Sequence, residues 1–274
     1  MAFSVNTNAG AFAALQNLNS TSSNLNTVQG RINTGLEVSS AKDNAAVFSI
    51  AQKLRADVSG LNAVKSSLDR ALSSIDVAVA AGEAVSDLLI EMKEKAVAAK
   101  DSGLDTASRT ALNDEFEELR DQITSIVNNA EFNGTNAVDG SSAIVAITND
   151  DGSNTITIAA QTLSLGGSSV TVAGTTTIGS ASAASSAVAL IDASISNVNT
   201  SLSALGAGAK RLELQKDFVG KLSDTIEVGI GNLVDADLAK ESASLQALQV
   251  KQQLGLQALS IANQAPSTVL GLFR

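Results

Sequence analysis

Residues 54–99 read LRADVSGLNAVKSSLDRALSSIDVAVAAGEAVSDLLIEMKEKAVAA. Leu54, Leu61, Leu68, Ile75, Gly82, Leu89 and Ala96 recur every seven residues, and Val64, Ala71, Ala78, Val85, Met92 and Ala99 form a companion row. A sustained 3/4 alternation of this kind is the seam of a coiled coil. It predicts one helix over 41–100, roughly 90 Å long at about 1.5 Å per residue. Ser102-Gly103 ends it.

The same period extends outward on both sides. A helix is predicted from Asn6 to Asn33, with Ala9, Phe12, Leu15 and Leu18 on one side and Leu25, Val28 and Ile32 continuing it. Thr34-Gly35 supplies its stop, and Ser40 with Asp43 resembles a capping box for the next helix. A third helix, Thr106 to Ala130, carries Leu112, Phe116, Leu119, Ile123 and Ile126, and the turn dipeptide Asn133-Gly134 marks its end. Far downstream, Ile191, Ile195, Val198, Leu202, Leu205, Ala209 and Leu212 alternate by four and three, and Val219, Leu222, Ile226 and Leu233 keep the phase until Gly229 and Gly231 loosen it. A last helix, capped by Asp235, carries Leu238, Leu245, Leu248, Leu259 and Ala262, with Val250, Leu254 and Leu256 on other sides. Apolar residues around so much of one circumference imply partners on several sides.

Between these helical arms the sequence changes character. Residues 143–147 and 155–158 are β-prone runs flanking Asn149-Asp150-Asp151-Gly152, a hairpin signal. Further short strands are expected at 162–165 and 170–173. The predicted fold is therefore mainly α: a long antiparallel helical bundle or coiled coil built from both chain ends, with a small β-hairpin-rich central insertion. The expected domains are terminal helices at 1–40 and 234–274, a long-helix bundle at 41–140 and 181–233, and an exposed insertion at 141–180.

Charge sharpens the reading. The first charged side chain is Arg31, and none lies between Lys251 and Arg274. Ordinary termini are solvated and rich in charge, whereas interface cores are depleted of it. The two ends therefore look built for desolvation against other copies. The candidate assembly interface is Phe12, Leu15, Leu18, Leu25, Arg31 and Ile32 from the first arm, with Leu238, Leu245, Leu248, Leu259 and Ala262 from the last.

Composition excludes several classes. A formal net charge of −10 opposes nucleic-acid binding, which needs a basic surface. The 274 residues include neither His nor Cys, so structural zinc, a nucleophilic thiol and the commonest general base are missing. With seven Phe and no Tyr or Trp, aliphatic side chains must fill the core. No basic segment precedes an apolar one at the N-terminus, so no cleaved signal peptide is expected. No run reaches the ~18 apolar residues of a membrane span, and no membrane insertion is expected.

Candidate chemistry is sparse. Asp235 and Asp237 could pair as carboxylates, but capping and dipole complementation at a helix start explain them better. The stretch 149–154 lacks the alternating ligands and closing Glu of a calcium loop. Gly229-Ile230-Gly231 and Gly206-Ala207-Gly208 lack the third Gly and the preceding strand of a dinucleotide site. No cofactor is expected, and no catalytic constellation is present.

Several long motifs resemble bacterial flagellin. Val5-Asn6-Thr7-Asn8 is similar to the family's opening, RINTGLEVSSAKDNAA at 31–46 to its N-terminal signature, and EFNGTNAVDG at 131–140 to the motif closing the N-terminal region. SLSALGAGAKRLELQ at 201–215 and NLVDADLAKESASLQALQ at 232–249 resemble the returning helices, and ALSIANQAPSTVLGLFR at 258–274 the C-terminal stretch. The short centre is most similar to the small flagellins of alphaproteobacteria. The resemblance implies a subunit of the flagellar filament used for swimming, exported unfolded through a type III system into an extracellular helical homopolymer. It implies partners too: other copies and paralogous flagellins, an export chaperone, the filament cap and hook-associated proteins. Terminal helices would line the tube and long helices would surround them. In LIEMKEKAV at 89–97, Glu91 stands where the stretch gripped by an immune receptor in some flagellins has a basic residue. Thr175, Thr176 and Thr177 are candidate glycosylation sites in the Ser/Thr-rich centre. Two other readings stay open: a flagellin-like hook–filament junction protein, and a cytosolic coiled-coil adaptor that would form finite oligomers instead of an open-ended polymer.

Overall fold

The computed structural model describes residues 7–271, with side chains for 7–264; Val5 and Asn6 of the opening motif and the side chains of the last ten residues lie outside these. Along the chain come α1 (Ala9–Thr34), α2 (Ala45–Ala99), α3 (Thr106–Asn129), β1 (Glu131–Phe132), β2 (Thr135–Asn136), β3 (Ile144–Ile147), β4 (Thr155–Ile158), α4 (Ala181–Val234) and α5 (Leu238–Gly271). They group into two compact units, the first reaching to Ala56 and resuming at Thr225, the second spanning Asp57–Asp224.

In the second unit the seam read from sequence is the core. From Leu61 to Ala99 both rows of α2 are buried, with Leu68, Ile75, Val85, Leu89, Met92 and Ala96 fully so. Helix α4 answers with Ile191, Val198, Leu205, Leu212 and Val219, again at sevenfold spacing and fully buried. The two run antiparallel, as their cross-contacts show: Lys93 pairs with Asp192 at 2.6 Å and Lys216 with Asp69 at 2.5 Å. At Gly82 the packing against α4 is tight. A methyl group there would stand 2.7 Å from a Leu202 methyl, so a larger residue at this heptad position would force the Leu202 side chain to shift. Helix α3 starts on Asp105, whose carboxylate accepts the Ser108 N–H at 2.8 Å, and it buries Phe116, Ile123 and Val127.

The predicted hairpin is present: β3 and β4 pair antiparallel, with Ile144 opposite Ile158 and Ala146 opposite Ile156. These four face inward, while Val145 and Ile147 face solvent. Two expectations change. Residues 162–165 and 170–173 make only isolated bridges, Asp139 to Thr162 and Leu165 to Val170. Their bonds scatter instead: Leu163 N–H donates to the Val138 carbonyl and Gly166 N–H to the Val172 carbonyl, both at 2.8 Å, Thr171 N–H donates to Ser194 Oγ at 2.9 Å, and the Ser169 and Ser201 side chains share a buried hydroxyl bond at 2.8 Å. The dipeptide Asn133-Gly134 closes a hairpin of its own, β1–β2, with φ of 51° and 80° at the two turn residues. Both angles lie in the left-handed region that a tight hairpin turn demands.

The β3–β4 turn rests on α2 at Gly60. A methyl there would lie 2.7 Å from the Asp150 carbonyl oxygen, a backbone atom that cannot rotate away. Gly60→Ala is therefore expected to destabilise by about 1–2 kcal/mol, overpacking outweighing a gain in helix propensity of up to ~1 kcal/mol. Gly206→Ala in α4 meets nothing within 4 Å and should stabilise by up to about 1 kcal/mol. Thermal unfolding of the two variants side by side decides it: equal and same-signed shifts would contradict the close approach at Gly60.

In the first unit α1 and α5 form an antiparallel pair. Helix α1 begins on Asn8, whose carboxamide oxygen accepts the Ala11 N–H, and ends at Gly35 in the left-handed conformation (φ 72°). The next residues are tied to the start of α5's segment: Glu37 N–H donates to the Val234 carbonyl at 2.7 Å and Ala236 N–H to the Gly35 carbonyl at 2.9 Å. Helix α5 is capped by Asp237, not Asp235, its Oδ1 accepting the Ala239 and Lys240 N–H groups. Gly229 and Gly231 lie within α4, which continues to Val234. Asn44, rather than Ser40, caps α2 through the Val47 N–H. Asp43 clamps the preceding turn, accepting from Ser39 and Ser40 side chains and amides. Those bonds, led by the Ser39 hydroxyl, hold its carboxyl below the usual 3.8. Any support it gives this turn is present above that range and lost as pH falls through the lowered value.

Candidate assembly interface

The candidate assembly residues divide between two faces of the α1–α5 pair. Leu25 is buried with Val28, and Leu18, Arg31 and Ile32 are half-buried on α1. On α5, Leu245, Leu248, Leu259 and Ala262 are half-buried, at the 3/4 spacing that also includes Glu241 and Gly255. Contacts between these faces are direct. Asn8 Nδ2 donates to the Ala262 carbonyl at 2.7 Å, and a methyl on Gly255 would touch Leu18 at 3.3 Å. Arg31 Nη1 meets Glu241 Oε1 at 3.0 Å. Among the described residues, Glu241 is the one charged residue at a buried polar position. These side chains hold the pair together.

Phe12, Leu15 and Leu238 are left uncovered, Leu238 although it continues the stripe of Glu241 and Leu245 at the start of α5. They are 65%, 43% and 50% exposed. Sequence reasoning also placed Val250, Leu254 and Leu256 off the main stripe, and all three are more than half exposed, as is Ile261. The charge-free composition of both ends thus serves two surfaces. One is already covered within the chain, while the other offers large aliphatic side chains to water with no charge in its C-terminal part to solvate it. Exposed apolar surface of this extent marks a protein–protein site.

Thr175 and Thr177 are exposed, whereas Thr176 is half-buried and its Oγ1 accepts the Ala173 N–H at 3.1 Å. No described helix is long and apolar enough to cross a membrane.

Such an arrangement defines a class: a mainly helical protein whose function is carried by surfaces for self-association. The comparisons with known proteins make this specific. Residues 5–143 match the bacterial flagellin N-terminal helical region and residues 188–273 the bacterial flagellin C-terminal helical region. The chain is 52% identical over 272 residues to flagellin FljK of Caulobacter vibrioides, covering 99% of this chain and 98% of that one. It is 34% identical over 321 residues to flagellin C of Rhizobium meliloti, at 99% coverage of both. Among solved structures, it resembles Bacillus cereus flagellin with a TM-score of 0.50 at 23% identity, over 56% of this chain and 88% of that one. It also resembles a protein from Vibrio parahaemolyticus described as a flagellar hook-associated protein, with a TM-score of 0.57 at 14% identity, over 70% and 100%. At those identities the structural matches speak for the fold alone.

The chain belongs to the bacterial flagellin family. It is a structural subunit that polymerises with its own kind into the extracellular flagellar filament used for swimming.

Proposed function

We propose that the polymer is held by the outward faces of α1 and α5, and that this chain's role is structural with no catalytic step. The observation that carries it is the row of large apolar side chains left in water on these helices: Phe12, Leu15, Leu238, Leu254, Leu256 and Ile261. Burying one such side chain is worth about 1.5–3 kcal/mol, and each copy repeats the contact along the polymer. In this reading 1–40 and 234–274 form the inner tube layer, 41–140 and 181–233 the shell around it, and 141–180 an exposed surface insertion. An export chaperone, the filament cap and hook-associated proteins are partners that meet the same apolar helices before or at assembly, and the chain is secreted before it polymerises. Thr175 and Thr177 are open to glycosylation on that outer insertion.

Seeded polymerisation followed by electron microscopy tests the reading: open-ended filaments are expected, and a finite coiled-coil oligomer would overturn it. Limited proteolysis of the filament tests the orientation. The exposed turn at 149–154 should be cut while α1 and α5 are protected, and the reverse pattern would refute it. Trypsin cannot supply the first half of that test, because no Lys or Arg occurs between Asp121 and Ala209, so a less base-specific protease is needed.

A further inference from the structure

Asn133-Gly134 is the one Asn-Gly dipeptide of the chain. It forms the turn of the β1–β2 hairpin, which has two residues in each strand, and both turn residues are exposed. Asn before Gly has a reaction of its own. The Gly134 backbone nitrogen attacks Cγ of Asn133, the new C–N bond closes a five-membered succinimide, and the carboxamide nitrogen leaves as ammonia. Water then opens the ring on either side, giving aspartate or, with the backbone rerouted through Cβ and Cγ, isoaspartate.

Asp139-Gly140 and Asp151-Gly152 could close the same ring, and their glycines have φ of 85° and 72°. Their carboxylates are engaged, however. Asp139 Oδ1 accepts the Ser141 N–H and hydroxyl, both at 2.7 Å, and Asp151 Oδ1 accepts the Ser153 N–H at 3.0 Å. The Ser153 bonds hold the Asp151 carboxyl below its usual range, in the ionised form that resists a nucleophile. The Asn133 carboxamide is neutral and makes no hydrogen bond among the described residues.

The folded turn opposes the reaction. Both φ angles, 51° and 80°, are left-handed, and in such a turn the first residue has ψ of about +30°. The Gly134 nitrogen then stands roughly 150° from Asn133 Cβ about the Cα–C bond, whereas ring closure needs the two nearly eclipsed. Flipping the peptide to eclipse them would put Asn133 in a backbone region that essentially only glycine adopts. The other route is to open the hairpin, and Asn136 holds it shut. Its Nδ2 donates to the Val127 carbonyl at 2.7 Å, and its Oδ1 accepts the Val138 and Asp139 N–H groups.

We propose that Asn133 is a site of spontaneous deamidation gated by the β1–β2 hairpin, protected while the hairpin is closed and reactive when it opens. The longer a chain stays unfolded, the more of it carries the change. The aspartyl product keeps the backbone and tolerates positive φ, so it folds as before. The isoaspartyl product has an extra backbone bond between Phe132 and Thr135, which pair across the two-residue turn, and its hairpin does not reclose.

Hydroxylamine at mildly alkaline pH traps the succinimide and cuts the chain where it forms. Fragments 1–133 and 134–274 are expected, appearing at least about tenfold more slowly from the folded chain than from the chain in urea. Asn136→Ala, which frees β2 from α3, should speed cutting of the folded chain about fivefold. Asn133→Asp should abolish the cut and leave the melting curve of the natural chain unchanged. Equal rates in the folded chain and in urea overturn the gating, as does an Asn136→Ala variant cut no faster than the natural chain. Should that variant melt below the incubation temperature, the ratio measured on the natural chain decides alone. Peptide mass mapping after long incubation of the folded chain, without hydroxylamine, tests the choice of residue. Conversion is expected at Asn133 first; isoaspartate appearing earlier at Asp139 or Asp151 overturns it.

Discussion

Leu254→Asp is expected to leave the monomer's melting curve unchanged and to stop filament growth. Leu254 is 57% exposed on α5, away from the face that meets α1, so the substitution removes no contact within the chain. In the proposed filament packing the same side chain is desolvated against a neighbouring copy. An unpaired carboxylate buried there costs several kcal/mol, and each ~1.4 kcal/mol is a tenfold change in affinity, so the critical concentration should rise at least about a hundredfold. Sedimentation after seeding, with calorimetry of the monomer, measures both halves. Filaments at the natural critical concentration would show that this face is not an interface. Leu259→Asp is the less discriminating variant. Leu259 lies between Gly255 and Ala262 on the half-buried side, so its loss disturbs the helix pair and the polymer together.

Phe116→Ala carries the largest expected cost in stability. Phe116 is the largest fully buried side chain described and sits on the inner face of α3 with Ile123 and Val127. Truncating a buried Phe removes its transfer energy and leaves a cavity, together about 3–5 kcal/mol. For a unit of this size 1 kcal/mol moves the midpoint by about 2–4 °C, so a fall of roughly 10 °C is expected. Below that lowered midpoint the variant should still polymerise, because the outward residues of α1 and α5 are unchanged. A shift of only a degree or two would mean that the core collapses around the gap; loss of filaments at low temperature would mean that assembly reads the state of the bundle.

The helices were legible because their signal is local and repeated. Every heptad position from Leu61 to Ala99 is buried, since a straight helix can hide one stripe only if the stripe recurs at its own period. The hairpin at 144–158 was legible for the same reason at period two, with a turn between. Where the chain uses neither period the sequence misleads. Residues 162–173 have strand-like composition, yet their backbone bonds go to scattered carbonyls and, at Thr171, to the Ser194 hydroxyl of α4, and nothing in 162–173 announces Ser194, or the Ser201 that bonds the Ser169 hydroxyl, as partners. The β1–β2 hairpin has two residues per strand, too few for any alternation to show.

Charge depletion at the two ends pointed to desolvated surfaces, and motifs from Val5 to Arg274 pointed to the family. Those properties belong to composition and order, which the sequence alone carries. It could not divide the apolar residues of α1 and α5 between the chain's own helix pair and water. That division depends on which side each helix turns to the other, and the contacts that set it, Asn8 with Ala262 and Arg31 with Glu241, join residues 254 and 210 positions apart. Periodicity tells a helix how many faces it must hide; only the packed chain decides which of them it hides itself.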